Sequence, residues 1–241
     1  MKQQFADKDE ARQAVWERLQ AERLARFPFP PHGRIPNFAG AREAAERLFE
    51  LEPWRSARRI KVNPDAPQRP VREAALRRGI TVFVPTPRLR GGFKMLDPAH
   101  IPEDQIRAAA SLTKGARFAQ AVPLEALPAM DAIVCGSVAV TRDGRRCGKG
   151  EGYSDLEYAI LRELGHAPVP VATTVHPVQV VGGLPRAATD LPLAVIVTPH
   201  EVVRVAAPLP APAGIDWARL CEADLDAMPV LRQLAARIDR G

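Results

Sequence analysis

The stretch from Gly144 to Gly165, GRRCGKGEGYSDLEYAILRELG, decides how the chain is read. An apolar run leads into it, Ala132-Ile133-Val134-Cys135 through Val138-Ala139-Val140. Arg145 and Arg146 follow, then a loop carrying Gly148, Gly150 and Gly152. Ser154 has the chemistry of a helix N-cap, and Glu157 stands three residues on, the spacing of a capping box. Gly165 is a natural helix stop. The pattern predicts a strand, a glycine loop and a helix N-terminus in succession. Such a junction gathers free backbone N–H groups and the positive end of a helix dipole at one place. Arg146 and Lys149 add full charge, so a phosphate group is the expected guest. A carboxylate suits an anion site when a cation lies between, so Asp155 in the first helical turn is the expected ligand of Mg2+.

The spacing excludes two standard phosphate loops. Gly144 and Gly148 enclose three residues rather than four, and Gly150 rather than Ser or Thr follows Lys149, so this is no P-loop. It does not fit G-x-G-x-x-G either. A tight turn with solvated basic residues is the other reading of the same letters.

The totals narrow the class. The chain has 241 residues, 46% hydrophobic and 26% charged, which is a globular composition. Its 24 prolines are about double the usual ~5% share and imply many fixed loops. The net charge is +6, and arginine supplies most of it, a residue suited to forked partners such as phosphate and carboxylate. Three cysteines, Cys135, Cys147 and Cys221, without a C-x-x-C, argue against a zinc site or a disulfide framework and for a reducing compartment. No run of about 18 apolar residues suggests a membrane span. The expected location is the cytoplasm.

Upstream, Asp7 and Glu10 open a predicted helix running to about Arg26. Lys8 and Arg12 lie one turn apart on the stripe that also carries Val15 and Leu19. Two cations on a core-facing stripe are costly unless an anion meets them or that end overhangs into water. The loop FPFPPHGRIPN, 27–37, is too stiff to be a flexible linker and should pack on the body. Helices are predicted near 41–50, 71–78 and 102–110. Strands are predicted at 60–62 and 80–84, the second followed by the basic loop Arg88-Leu89-Arg90. Downstream, strands are predicted at 169–175, 178–181, 193–198 and 201–205, with His176 between the first two. Apolar strands alternating with helices imply an α/β fold, a mostly parallel sheet with helices on both faces. Ligands then bind beyond the carboxyl ends of the strands. Residues 1–207 form the expected α/β domain. Residues 208–241 are a proline-rich connector and a helical tail interrupted at Pro229.

The segment RCGKGEGYSD, Arg146 to Asp155, resembles the R-x-G-x-G-x-G-[YF]-Y-D loop of the 5-formyltetrahydrofolate cyclo-ligase (methenyltetrahydrofolate synthetase) family. Lys8 and Arg12 are similar to that family's ATP-contacting K-x-x-x-R pair. VFVPTP at 82–87 and TDLPLAVIVTP at 189–199 resemble its strand-and-proline segment and its late motif. The longer stretches RFPFPPHGRIPNFAGA, IKVNPDAPQ, VPTPRLRGGF and VHPVQVV resemble the methenyltetrahydrofolate synthetase domain-containing subgroup. The resemblance covers about residues 8–205. It implies a fold similar to the sugar-isomerase and CoA-transferase-like group. It also implies an ATP- and Mg2+-dependent ring closure of 5-formyltetrahydrofolate through a phosphorylated formyl oxygen. On that reading Gly148, Gly150 and Gly152 let the backbone approach the phosphates, and Arg146 and Lys149 neutralise them as the catalytic pair. Lys8 and Arg12 close from the first helix, Glu151 belongs to the nucleotide loop, Tyr153 packs on the ligand and Asp155 holds the metal.

The chain departs from the family pattern at several places. Ser154 and Leu156 stand where the family has an aromatic and a basic residue, and Glu151 stands for a usual glycine. VNPDAPQRP replaces the folate-side E-x-x-T segment, and Thr189 and Ala194 replace a His and an Asp. The nucleotide end is therefore better kept than the folate end. Two alternatives stay open: a nucleotide-dependent enzyme acting on another substrate, and a non-catalytic nucleotide or RNA binder using Arg88, Arg90, Arg145 and Arg146.

Overall fold

The computed structural model describes residues 3–111, 113–207 and 209–238. The expected start of the connector at Pro208 and the chain end, 239–241, lie outside them.

In chain order the strands are β1 (Ala25–Arg26), β2 (Asn37–Phe38), β3 (Arg59–Val62), β4 (Thr81–Pro85), β5 (Phe93–Leu96), β6 (Ala119–Val122) and β7 (Ala132–Cys135). They continue with β8 (Ala139–Thr141), β9 (Arg146–Cys147), β10 (Val171–Thr174), β11 (Val180–Val181), β12 (Val195–Val197) and β13 (Val202–Arg204). The helices are α1 (Lys8–Ala21), α2 (Ala41–Leu48), α3 (Arg69–Arg77), α4 (Ile106–Ala109), α5 (Tyr153–Glu163), α6 (Glu222–Ala227) and α7 (Pro229–Ile238). Eight strands form one sheet in the order β13-β12-β10-β7-β3-β4-β5-β6. Its five central strands, β12 to β4, are parallel. At one edge β13 pairs antiparallel with β12; toward the other, β5 pairs antiparallel with β4 and the edge strand β6 antiparallel with β5.

Strand periodicity splits the core into two layers. Ala132 and Val134 of β7 face Leu48, Val71 and Leu76 of α2 and α3. Ile133 and Cys135 of the same strand face the cluster holding Ile160 of α5 and Leu231 and Leu234 of α7. The sheet is therefore covered on both faces, as the apolar strands predicted. Among the described residues no helix is long and apolar enough to cross a membrane.

Three expectations about local structure are corrected. The apolar run before the glycine loop is two strands in two sheets. Gly136 and Ser137 end β7, and β8 joins β9 and β11 in a separate three-stranded sheet. Arg146 consequently sits in strand β9, paired with Val140, and not in the loop. Ser154 is not the N-cap of α5. Gly152 takes that place at φ +70°, and Ser154 and Glu157 both turn inward and are buried. Helix α1 ends at Ala21, short of Arg26. Asp7 caps its start, accepting from Asp9 N and Glu10 N. At its end Arg23 adopts φ +55°, and Leu24 N–H returns to Leu19 O, the turn that stops helices without glycine.

The proline-rich loop packs through Ile35, and Trp16 Nε1 donates to Arg34 O at 3.0 Å, while Phe27 and Phe29 stand in solvent. In the tail the helical pattern breaks at Pro229 as expected: α6 ends at Ala227, and Pro229 begins α7, where its missing N–H costs nothing. Met228, Val230, Leu231 and Leu234 are buried with Phe83, Leu89 and Phe93 of the body. The tail thus shares the core of the sheet's second face.

Candidate functional site

A cavity of about 890 Å³ opens where the chain leaves β3 and β4, beyond their carboxyl ends. That is the upper part of the ~300–1,000 Å³ range of small-molecule sites. All ten residues singled out from the sequence line it. Helix α1 brings Lys8 and Arg12, β9 brings Arg146, the loop brings Gly148 to Gly152, and the first turn of α5 brings Tyr153 and Asp155. The stripe that carries Lys8 and Arg12 therefore ends over a cavity.

The cations are held in distinct ways. Arg146 is 5% exposed; its Nε donates to Gly136 O at 3.0 Å and its Nη1 to Asp155 Oδ1 at 3.0 Å. Burial works against its charge, but Asp155 and its other neighbours outweigh that and hold its pKa above the ordinary arginine value. Arg12 Nε donates to Gly148 O at 2.7 Å, and its guanidinium pairs with Asp9. Lys8 pairs with Asp190 at 2.6 Å, which draws the late TDLP motif to the cavity. Lys149 pairs with Glu151 at 2.7 Å. Arg145 turns away to Asp143 and Leu184 O and, like Arg90, is not part of the lining, whereas Arg88 is.

The loop backbone is shaped by those side chains. A Cβ on Gly148 would come within 2.8 Å of Arg146 Nη2, so a larger residue there would have to displace the guanidinium. The amides of Gly150, Gly152, Tyr153 and Ser154 have no protein acceptor among the described residues. They stand at the N-terminus of an eleven-residue helix, where the dipole favours an anion. This set of amides and cations fits the polyphosphate of a nucleotide.

The fit to Mg2+ is narrower. Asp155 Oδ1 accepts from both Arg146 Nη1 and Leu191 N, the latter at 2.9 Å. Only Oδ2 is left without a protein donor among the described residues. No group of three His, Cys, Asp or Glu residues there could hold a metal. One carboxylate oxygen suits Mg2+ only in its usual manner, carried largely by substrate phosphates and water. The main partner of Asp155 in the protein is Arg146.

Below the loop lies a buried polar cluster that sequence reading missed. Lys61 and Glu157 form an ion pair, 1% and 5% exposed at the side chains. Lys61 Nζ also donates to Asn63 Oδ1 at 2.8 Å, and Asn63 Nδ2 donates to Ser154 Oγ at 2.7 Å. Burial pushes the Glu157 carboxyl up and Lys61 opposes it. The cluster ties the end of β3 to the first turn of α5, and Asn63, Ser154 and Glu157 reach the cavity wall. The available signal was the polar turn NPD straight after an apolar strand, at the carboxyl end where such sheets bind ligands. Asp65 of that turn also lines the cavity, and burial raises its pKa against the pull of Lys149, Arg72 and Arg146.

His176 is not among the lining residues. Its Nδ1 accepts from Val178 N, and it caps the turn 177–179. Burial holds its pKa below the usual histidine value. Protonation would remove the acceptor, so stability should fall as pH drops through about 6.5 toward the lower folded value. Melting temperatures at about pH 7.5 and 5.5 check this, and His176→Gln should lose less between them than the wild type.

The sequence model of the 5-formyltetrahydrofolate cyclo-ligase family matches residues 5–199. The chain belongs to this family. It is 42% identical over 242 residues to the methenyltetrahydrofolate synthase domain-containing protein of Mus musculus, an alignment covering 98% of this chain and 65% of that relative. The Homo sapiens protein of the same name is 36% identical over 237 residues, covering 95% of this chain and 62% of the relative. The chain thus spans somewhat under two thirds of these relatives' length. The 5,10-methenyltetrahydrofolate synthetase of Aquifex aeolicus superposes with a TM-score of 0.53 at 19% identity, covering 83% of this chain and 93% of that one. That likeness concerns the fold. Within the cyclo-ligase frame, the matched region holds every one of the ten residues above, and the tail from residue 200 onward lies beyond it.

Proposed function

We propose that the chain is an ATP- and Mg2+-dependent ligase that cyclises 5-formyltetrahydrofolate to 5,10-methenyltetrahydrofolate. The reading is carried by one observation: Lys8, Arg12, Lys149 and Arg146 converge with unpaired loop amides on one cavity of a cyclo-ligase-family fold. The γ-phosphoryl group of ATP passes to the formyl oxygen, which turns a poor leaving group into phosphate. The second folate nitrogen attacks the activated carbon and gives up its proton to solvent, the C–N bond forms, and the C–O bond breaks as phosphate departs with that oxygen. Such chemistry needs alignment and charge neutralisation rather than a protein nucleophile.

This chain's residues divide the work. Gly150, Gly152 and the first amides of α5 point donors at the polyphosphate. Lys149 releases Glu151, and Lys8 and Arg12 approach from α1, to balance its charge. Arg146 fixes Asp155 and supplies a forked cation at the cavity wall. Asp155 Oδ2 would hold Mg2+ brought with the nucleotide, and Tyr153 packs on the ligand.

The test is the absorbance of the methenyl product with purified protein, ATP and Mg2+. Product formation above the enzyme-free rate is expected, and its absence in folded protein overturns the reading. Lys149→Ala should weaken ATP binding by about tenfold in a calorimetric titration, the scale of a lost charge-assisted hydrogen bond. Unchanged ATP affinity would leave the loop a structural turn. A protein that binds ATP but not 5-formyltetrahydrofolate would act on another substrate, the alternative favoured by the NPD turn and by Thr189. RNA binding through Arg88 has the weaker support, because Arg90 and Arg145 do not join it at the cavity.

A further inference from the structure

The cavity has a second kind of wall. Tyr153, Leu156 and Ala159 of α5 line it together with Ile215, Leu220 and Met228 of the tail. Tyr153, Leu156 and Leu220 are only partly buried; each packs on the sheet's second-face core and also borders the cavity. The tail residues come from the segment beyond the family match, which ends at residue 199.

This wall is built into the fold. Ile215 N–H donates to Glu163 Oε2 at 2.9 Å, at the far end of α5. Arg219 Nη1 donates to Thr189 Oγ1 at 3.2 Å, and Arg186 Nη2 donates to Pro210 O at 2.6 Å. Met228, Val230 and Leu231 then anchor the tail in the core. The tail therefore crosses the cavity from α5 toward the Arg88 loop, fixed on both sides of Leu220.

The cavity carries carboxylates as well as cations, but the four cations Lys8, Arg12, Arg146 and Lys149 and the loop amides gather on one side of it. Apolar side chains on the same cavity then call for a ligand with a flat, weakly polar part beside its anionic part. We propose that the tail is a specificity-determining element of the site, and that Leu220, with Ile215 and Met228, forms one side of a slot for the planar heterocycle of a ligand. The inference rests on the reading of the cavity as a nucleotide and folate site. The ring is either the nucleobase or the pterin, and the same chemistry serves both.

Calorimetric titration of the full chain with three probes separates these sources. Tripolyphosphate has the charge without a ring, ATP adds the nucleobase, and 5-formyltetrahydrofolate carries the pterin. Leu220→Ser should weaken one ring-bearing ligand by about tenfold, the scale of a few lost apolar contacts in a pocket. It should leave tripolyphosphate within about twofold. A loss for ATP assigns the slot to the nucleobase, and a loss for 5-formyltetrahydrofolate assigns it to the pterin. Leu220→Met should restore the affinity. Unchanged affinity for both ring-bearing ligands overturns the slot, as does a parallel loss for tripolyphosphate, which would mean a disturbed cavity. Failure of the wild type to bind tripolyphosphate or ATP at all would instead overturn the nucleotide reading, so the two failures are distinct.

Discussion

Lys61→Met should destabilise the protein by about 3–5 kcal/mol, the usual cost of removing one partner from a buried ion pair. The expected drop in melting temperature is about 10 °C for a chain of this size. The reason is specific to the place. Glu157 is 4% exposed, its carboxyl is already pushed up by burial, and Lys61, with a smaller contribution from Arg146, opposes this. Without Lys61 the carboxylate must take up a proton or drag water inward. Asn63 would lose its partner at Oδ1 and with it the fixed orientation toward Ser154. The double variant Lys61→Met/Glu157→Leu should recover most of the loss, because apolar groups of similar volume replace a buried pair at little net cost. A loss below about 1 kcal/mol for the single variant would show that water reaches the pair and that it behaves as a surface ion pair. Chemical denaturation of the wild type and both variants gives the three numbers.

This cluster also marks the boundary of what the letters of the chain revealed. The parallel sheet and its two helical layers were legible because strands such as Ala132–Cys135 are apolar on both faces and alternate with amphipathic helices. The approach of Lys8 and Arg12 to the glycine loop was implied by the family resemblance; helical periodicity alone put both cations on one stripe of α1 and left open whether an anion or water met them. The pairing of Lys61 with Glu157 joins residues 96 positions apart, and no local pattern encodes it. Ser154 and Glu157 have capping-box spacing, and that local rule lost to tertiary demand: Gly152 turns the chain at positive φ, so both polar side chains enter the first turn facing Asn63 and Lys61. The break at Gly136 was hidden for a similar reason. Seven of the nine residues from Ala132 to Val140 are apolar, and only Gly136 and Ser137 tell two strands from one. A Cβ at Gly136 would come within 2.9 Å of Ile35 Cγ2 and 3.0 Å of Gln68 Oε1, a constraint set by distant segments. What the tail packs on stayed open in the sequence, because its apolar residues carry helical spacing without a visible destination. The destination is Phe83, Leu89 and Phe93, three residues from other parts of the chain.

Arg146→Met should lower kcat/KM for the proposed cyclisation by about 100-fold or more, the loss typical when a preorganised charge is taken from a phosphoryl-transfer site. Two effects add. The cavity loses a buried guanidinium, charged as arginine always is and held so more firmly by Asp155. It also loses the brace from Gly136 O through the guanidinium to Asp155, which sets the first turn of α5 and hence the direction of the loop amides. Arg146→Lys should not rescue, since one ammonium cannot span Gly136 O and Asp155 Oδ1 as a planar fork does. The two effects separate by measurement. Loss of charge alone weakens ATP and tripolyphosphate in proportion, whereas loss of the brace also frees Asp155, which keeps only the Leu191 amide. Pairing Arg146→Met with Asp155→Asn removes the stranded carboxylate. If the stranded carboxylate accounts for part of the loss, the double variant should regain about tenfold of the lost affinity for tripolyphosphate without Mg2+, a probe that does not call on Asp155 as a metal ligand, the scale of one hydrogen bond to a charged group. Turnover by Arg146→Met within about fivefold of the wild type would take Arg146 out of the machinery and leave charge balance to Lys8, Arg12 and Lys149.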